Sequence, residues 1–173
     1  MIQAKDKRSN VLWIYLEDVS GWFSCYGESL IKTPNIDQLA KEGIRFDRFY
    51  TPAGVCSATR SAIVTGMMQT SIGAHNHRSC RAKFRGKNMG EYDRNVLDIL
   101  TIPEIFRKNG YWTANHSKDD YNFNWDSNKL YDYGKQSSLN PDAFTSGKML
   151  EGRGGKPFFV QIQLHGGKGT TVG

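Results

Sequence analysis

The most informative segment of the chain is CSATRSAIVTG, residues 56–66. The pattern of small and apolar residues predicts a helix over residues 57–68, with Ile63, Val64, Met67 and Met68 on its buried side. Cys56 and Arg60 lie four residues apart, so they share one face of such a helix. The start of a helix also offers backbone N–H donors and the positive end of the helix dipole. The segment therefore predicts an anion-binding site that contains a reactive side chain.

A second feature lies upstream, where the apolar run VLWIYL at residues 11–16 stops at Glu17 and Asp18. A run that is apolar at every position favours a central strand of a parallel sheet, buried on both faces. Adjacent carboxylates supply the oxygen ligands that Ca²⁺ and Mg²⁺ take. The sequence thus indicates a metal site where the first strand ends.

Helices and strands alternate along the chain. Thr33 as N-cap and Pro34 in the first turn predict a helix through Glu42, and residues 44–50 alternate like a strand. Further patterns predict one helix and two strands, at residues 102–109, 111–115 and 158–164. This alternation favours an α/β fold, with a mostly parallel central sheet flanked by helices.

The chain has 173 residues, a length that suffices for one domain with a core. Its net charge is +6, and part of the excess lies in a basic stretch over residues 78–87 that attracts anions. Charge without a known motif does not indicate nucleic-acid binding, and no apolar run in the sequence is long enough to span a membrane. We therefore expect neither a nucleic-acid partner nor a membrane partner, and the sequence leaves the cellular location open.

Several motifs in order along the chain carry a resemblance to a known family. CSATR at residues 56–60, with the run that ends at Gly66, resembles the nucleophile signature of the type I sulfatases, which belong to the alkaline-phosphatase-like superfamily. The first strand with its acidic pair and the segment TPNIDQLA at residues 33–40 are similar to the N-terminal motifs of that family.

Two later segments extend the resemblance. The segment from Gly110 to Lys118 looks like the second signature of the family, and the strand from Lys156 to His165 looks like the one that delivers a histidine. Together the matches cover roughly residues 9–166. The resemblance implies an alkaline-phosphatase-like fold and the hydrolysis of sulfate esters, most often those of sulfated carbohydrates.

The resemblance also implies a role for each matching residue. A separate formylglycine-generating enzyme would oxidise Cys56 to Cα-formylglycine, whose hydrate supplies the oxygen nucleophile. Arg60 would hold that hydrate, and Lys118 would bind a sulfate oxygen. His165 would contact sulfate and protonate the leaving oxygen. At the place where the family usually has a second histidine, this chain has Asp120.

The same resemblance implies a metal cofactor. Glu17, Asp18 and the modified Cys56 would bind Ca²⁺, with Mg²⁺ less expected. Glu17 stands where the family usually has an aspartate.

Alternatives remain open. A phosphate or phosphonate ester hydrolase of the same superfamily can share this nucleophile. Complete members of the family are much longer, so residues 1–173 are expected to form the N-terminal part of a single sulfatase catalytic domain, apparently incomplete at the C-terminus. A catalytically incompetent fragment of a sulfatase is therefore the other alternative.

Overall fold

The computed structural model of the chain describes residues 8–75, 83–84, 87–88, 99–116, 118–123, 125–134 and 147–164. Among these residues the strands are β1 (Val11–Leu16), β2 (Lys83–Phe84), β3 (Lys87–Asn88), β4 (Trp112–His116) and β5 (Phe158–Leu164). The helices are α1 (Pro34–Glu42), α2 (Cys56–Thr65), α3 (Ile102–Lys108) and α4 (Ser127–Leu130), with 3-10 turns at Ser24–Tyr26 and Lys148–Leu150. Within this described part, no helix has the length and apolar character needed to cross a bilayer.

The central sheet has three parallel strands in the order β1-β5-β4. β4 and β5 pair in register from Trp112 opposite Phe158 to His116 opposite Ile162. Parallel strands require crossover connections, which here contain α3 and α4 among other segments. The carboxyl ends of β4 and β5 meet at one edge, and the predicted α/β fold with flanking helices is confirmed.

The described residues of 1–15 and 52–163 form one compact unit, with two apolar clusters. The cluster beside α2 comprises Val64, Tyr121, Phe123, Leu130 and Tyr131. The cluster on the sheet comprises Ala114, Met149, Val160 and Ile162. Tyr121 stacks on Phe123 with ring centroids 5.4 Å apart, a pairing worth about 0.5–1.5 kcal/mol beyond the area it buries. This aromatic packing fixes the loop after β4 against α2.

β1 differs from the prediction of a strand buried on both faces. Its residues alternate between half-buried and exposed, and Leu12 and Ile14 are 53% and 46% exposed. Trp13 lies on the other face, where its ring meets that of Phe159 edge-on at 6.2 Å. An apolar run favours a strand, but the described residues cover only the face that carries Trp13.

α2 is shorter than predicted, and it buries a different side. The helix ends at Thr65 because Gly66 adopts the left-handed conformation, with φ of 66°. Met67 and Met68, which the sequence pattern places on the buried side, lie beyond that end and are exposed. The helix instead buries mainly small residues, namely Ser57, Ala58, Ser61, Ala62, Val64 and Thr65. Small side chains allow α2 to pack closely against its neighbours.

The described residues of 16–51 and 164–173 form the second unit. α1 begins at Pro34 and ends at Glu42 as predicted, but the Thr33 side chain makes no capping bond. Its Oγ1 lies 2.8 Å from the Ser24 hydroxyl and donates to Asp37 at 3.3 Å. Thr33 therefore ties the start of α1 to the preceding 3-10 turn.

The strand predicted over residues 44–50 is wrong. No described strand pairs with this segment, and Ile44 and Phe49 are among its exposed apolar side chains. Alternation favours an extended chain, but a strand needs a partner for its hydrogen bonds. The segment is held instead by the Tyr26 hydroxyl, which donates to the Phe46 carbonyl at 3.0 Å.

Candidate anion-binding site

Local contacts place Cys56 at the first residue of α2. Val55 precedes it in an extended conformation, with φ of −127° and ψ of 129°. The Thr59 hydroxyl donates to the Ala53 carbonyl at 2.6 Å, and this bond ties the approach loop back onto the first turn of α2. The Cys56 side chain is half-buried at this turn. The predicted helix start is thus confirmed, with the thiol at the end that attracts anions.

Arg60 lies one turn further along α2 and is half-buried. Its Nη1 donates to the Oε1 of Gln163, near the end of β5. The Nε2 of Gln163 donates to the backbone carbonyl of Lys118 and, at 3.4 Å, to the Oδ1 of Asn115 on β4. These contacts bring α2, β4, β5 and the loop after β4 to one place.

Asp120 contacts both Cys56 and Lys118, two of the residues that the sequence predicts for the site. The Cys56 thiol donates to the Oδ2 of Asp120 at 3.9 Å, and the Lys118 Nζ lies 3.9 Å from the same oxygen. Both side chains of the ion pair are about one-quarter exposed, at 26% for Lys118 and 23% for Asp120. Cys56, Arg60 and Lys118 are therefore gathered in one site, through Asp120 on one side and Gln163 on the other.

Further hydrogen bonds fasten the Lys118 loop to α2. The backbone N–H of Asn122 donates to the Ser61 hydroxyl at 2.9 Å, and its side-chain amide donates to the Ala74 carbonyl at 2.9 Å. The indole of Trp125 donates to a carboxylate oxygen of Asp119 at 3.1 Å. The loop is thus held from both sides, which fixes the base from which the Lys118 side chain extends.

Three tyrosines, two of them near Arg60, are held in the neutral form. Burial raises the pKa of Tyr15, Tyr121 and Tyr131 well above the ordinary phenol value, and the positive charge of Arg60 lowers the pKa of the first two by a smaller amount. The hydroxyls of Tyr121 and Tyr131 lie 2.6 Å apart. At neutral pH these phenols add no negative charge to compete with an anion for Arg60.

The acidic pair of Glu17 and Asp18 follows β1 and belongs to the second compact unit. The Glu17 N–H donates to the Leu164 carbonyl at 3.2 Å, which continues the pairing of β1 with β5 past the end of the strand. Asp18 has a φ of 54°, in the left-handed region that aspartate tolerates better than most residues. This turn lets the chain leave the strand geometry that would direct adjacent side chains to opposite faces.

The donor chemistry of this pair fits a hard cation such as Ca²⁺, which takes six to eight oxygen ligands. Among the residues that the structure describes, no group of three or more His, Cys, Asp or Glu side chains comes together. The pair therefore supplies only part of a coordination shell.

Sequence reasoning missed Gln163 and Asn115. A signal was present, because Gln161 and Gln163 place amides on one face of an otherwise apolar strand. Both glutamines are buried, at 3% and 5% exposure. Asp120 was noted only as a departure from the family pattern. His165 lies outside the described residues, so its role stays a prediction.

A half-buried thiol, an arginine and a lysine beside the carboxyl ends of parallel strands are typical of α/β proteins that handle anionic groups. A comparison with protein families shows to which family of that class the chain belongs. The Sulfatase family model matches residues 9–167, and the chain belongs to the sulfatase family.

Individual relatives agree with this assignment. The chain is 34% identical to an ulvan-active sulfatase of Formosa agariphila over an alignment of 131 residues, and the match covers 72% of this chain and 22% of the relative. It is 34% identical to an N-acetylglucosamine-6-O-sulfatase of Bacteroides thetaiotaomicron over an alignment of 109 residues, and that match covers 62% of this chain and 17% of the relative. The chain thus spans about one-fifth of the length of these curated relatives.

A solved structure shares the fold. It is that of a protein in complex with its substrate D-glucosamine-2-N,6-O-disulfate. The TM-score is 0.67 with 25% sequence identity, and the match covers 91% of this chain and 34% of the other.

Proposed function

We propose that the protein is a sulfuric ester hydrolase that acts through a formylglycine hydrate derived from Cys56. The observation that carries the proposal is the cluster of Cys56, Arg60 and Lys118 around Asp120 and Gln163. Membership of the sulfatase family supports the reaction type. The formylglycine is proposed on the match of Cys56 to the position that is modified in that family.

The two cations suit the charge of a sulfate ester. Arg60 presents a planar set of N–H donors that matches the oxygens of the hydrate and the sulfate, and Lys118 adds a compact positive charge. Donors fixed before the reaction are most effective where charge develops in the transition state. We therefore assign to Arg60 and Lys118 the binding of the sulfate oxygens.

The reaction then follows from these positions. A hydroxyl of the hydrate releases its proton to water and attacks sulfur, and the bond between sulfur and the alcohol oxygen breaks. His165 donates the proton that the leaving alcohol requires. The remaining hydroxyl of the sulfated hydrate loses its proton as the aldehyde re-forms, and the carbon–oxygen bond to sulfate breaks. The aldehyde is then hydrated again for the next cycle.

Glu17 and Asp18 would bind Ca²⁺, with Mg²⁺ less expected. The carboxylate donors and the turn at Asp18 support this part of the proposal. When bound, such an ion lowers the pKa of a coordinated hydroxyl and polarises the sulfate.

A sulfated carbohydrate is the proposed substrate, because the relatives include an ulvan-active sulfatase and an N-acetylglucosamine-6-O-sulfatase. The substrate in the matching solved structure is a sulfated sugar as well. The proposed maturation partner is a formylglycine-generating enzyme.

The test is to produce the chain together with a formylglycine-generating enzyme. Mass spectrometry of the peptide that contains Cys56 reports whether the thiol has become an aldehyde. Turnover of an aryl sulfate is then compared between the wild type, Cys56→Ala and the matched control Cys25→Ala, which removes another half-buried free thiol. We expect conversion, and turnover that only Cys56→Ala abolishes.

Two results would contradict the proposal. Faster turnover of an aryl phosphonate than of the aryl sulfate would favour the phosphonate ester hydrolase. A converted Cys56 with no turnover of either ester would favour the catalytically incompetent fragment.

A further inference from the structure

Gln163 is a buried amide that faces the candidate site from the sheet. It lies next to the end of β5 and is 5% exposed. Burial of an amide costs free energy unless its oxygen and nitrogen both find partners. Both atoms of the Gln163 amide have partners here, and each partner belongs to a different part of the site.

The chemistry of the partners fixes the orientation of this amide. The guanidinium of Arg60 can only donate hydrogen bonds, so it must face the amide oxygen. The backbone carbonyl of Lys118 can only accept, so it must face the amide nitrogen. The nitrogen also faces the Oδ1 of Asn115 at 3.4 Å. A leucine side chain at this position could form neither hydrogen bond. A glutamate could accept from Arg60 but could not donate to the Lys118 carbonyl.

The neutrality of Gln163 matters as much as its geometry. A carboxylate at this position would form an ion pair with Arg60 and would repel an incoming anion. An amide oxygen orients the guanidinium without neutralising its charge. The contact therefore holds Arg60 in place without adding a negative charge beside it.

We infer that Gln163 is a positioning residue of the anion site, which holds Arg60 and the Lys118 segment in fixed relation and adds no charge of its own. The inference rests on the proposed function for the identity of the anion as the sulfate group of an ester. It assigns a role to an uncharged residue that does not touch the reacting atoms.

The test compares variants of similar size at Gln163. Inorganic sulfate is the probe, and its Kd is measured by titration calorimetry for the wild type, Gln163→Leu and Gln163→Glu. Gln161→Leu is the matched control, because Gln161 lies on the same face of β5, is equally buried and has no hydrogen-bond partner for its Nε2 among the residues that the structure describes.

We expect Gln163→Leu to raise the Kd for sulfate several-fold and Gln163→Glu to raise it by about tenfold or more. Gln161→Leu should change the Kd by less than about twofold. The excess loss in Gln163→Glu is the effect of charge, which a purely structural role would not produce. Equal losses in the two Gln163 variants, or wild-type affinity in Gln163→Glu, would overturn the inference.

A double-mutant cycle separates this inference from the proposed function. The free energy of unfolding is measured for Arg60→Met, Gln163→Leu and the double variant. Residues in direct contact should show non-additive effects, whereas independent residues add. Additive effects would overturn the positioning role. A wild type that binds no sulfate but shows coupling would instead count against the proposed function and leave the contact between Arg60 and Gln163 supported.

Discussion

The thiol of Cys56 lies 3.9 Å from the Oδ2 of Asp120, so a carboxylate stands beside the proposed nucleophile. The same oxygen is 3.9 Å from the Nζ of Lys118. In the family pattern a histidine is usual at this position, and the aspartate changes the charge of the site. A fixed negative charge between the thiol and the lysine offsets part of the attraction that Lys118 has for an anion.

Removal of this charge should strengthen anion binding. We expect Asp120→Asn to lower the Kd for inorganic sulfate by about threefold to tenfold, because the ion pair with Lys118 is lost while the side-chain volume is kept. Titration calorimetry at low and high salt checks the value, and the gain should shrink as salt screens it. Asp126→Asn is the control, since asparagine can still cap α4 there. Weaker sulfate binding in Asp120→Asn would contradict the charge argument.

Arg60 should require its guanidinium and not only its charge. We expect Arg60→Lys to weaken sulfate binding by about tenfold, because an ammonium lacks the planar fork of donors that can bind an oxyanion through two parallel hydrogen bonds. Calorimetric titration with sulfate gives the comparison. Lys156→Met removes one positive charge from an exposed position and should leave the Kd within about twofold. Wild-type affinity in Arg60→Lys would show that a positive charge at this position is sufficient and would contradict the argument.

The start of α3 offers a test of stability away from the site. The Thr101 hydroxyl accepts from the Glu104 N–H at 3.4 Å, and the Glu104 carboxylate accepts from the Thr101 N–H at 2.9 Å. Loss of such a cap costs about 0.5–2 kcal/mol, so Thr101→Ala should lower the free energy of unfolding by that amount. Denaturant titration measures it. Thr101→Ser keeps the hydroxyl and should retain most of the stability, and equal losses would exclude the cap as the cause.

Alkaline pH should destabilise the fold through its buried phenols. The pKa values of Tyr121 and Tyr131 are raised by burial, so the unfolded chain releases these protons at lower pH than the folded chain does. Their contribution is fully present below the ordinary phenol pKa of about 10 and is lost as pH rises above it, at about 1.4 kcal/mol per pH unit for each phenol.

The measurement is the free energy of unfolding at a series of alkaline pH values, with tyrosinate absorbance as the second signal. Tyr121→Phe removes one of the phenols and should make the dependence on pH less steep. An unchanged slope in that variant would show that Tyr121 already ionises at its ordinary pKa in the folded chain.

The sequence predicted the elements whose signals are local. α1 begins at Pro34 and stops before Gly43, and the strand leading to Gln163 is an apolar run of the expected length. The strand predicted over residues 44–50 was wrong, because alternation predicts an extended chain without supplying the partner that a strand needs. The predicted end of α2 was too far along the chain. Gly66 ends the helix, although apolar residues follow it.

The sequence predicted those site residues whose side chains stand at the positions of a family motif. Cys56, Arg60 and Lys118 stand at motif positions, and the structure brings them together. The role of Gln163 depends on contacts between residues 45 and 103 positions apart in sequence. Spacing along the chain does not encode such contacts, although the presence of buried amides on an apolar strand marks where to look.

The acidic pair after β1 should make stability depend on Ca²⁺. A cation that binds only the folded chain stabilises it by about 2.7 kcal/mol at one hundred times its Kd. We expect Ca²⁺ to raise the Tm of the chain more than Mg²⁺ does, and Asp18→Asn to lose most of that rise.

Asparagine tolerates the left-handed φ of 54° at this position, so the variant removes the charge and keeps the backbone. Glu28→Gln, at a half-buried acid whose side-chain oxygen accepts from the Leu30 N–H, is the control and should keep the full rise. Retention of the full rise in Asp18→Asn would exclude the Asp18 carboxylate as a ligand, since a neutral amide oxygen binds Ca²⁺ more weakly than a carboxylate does.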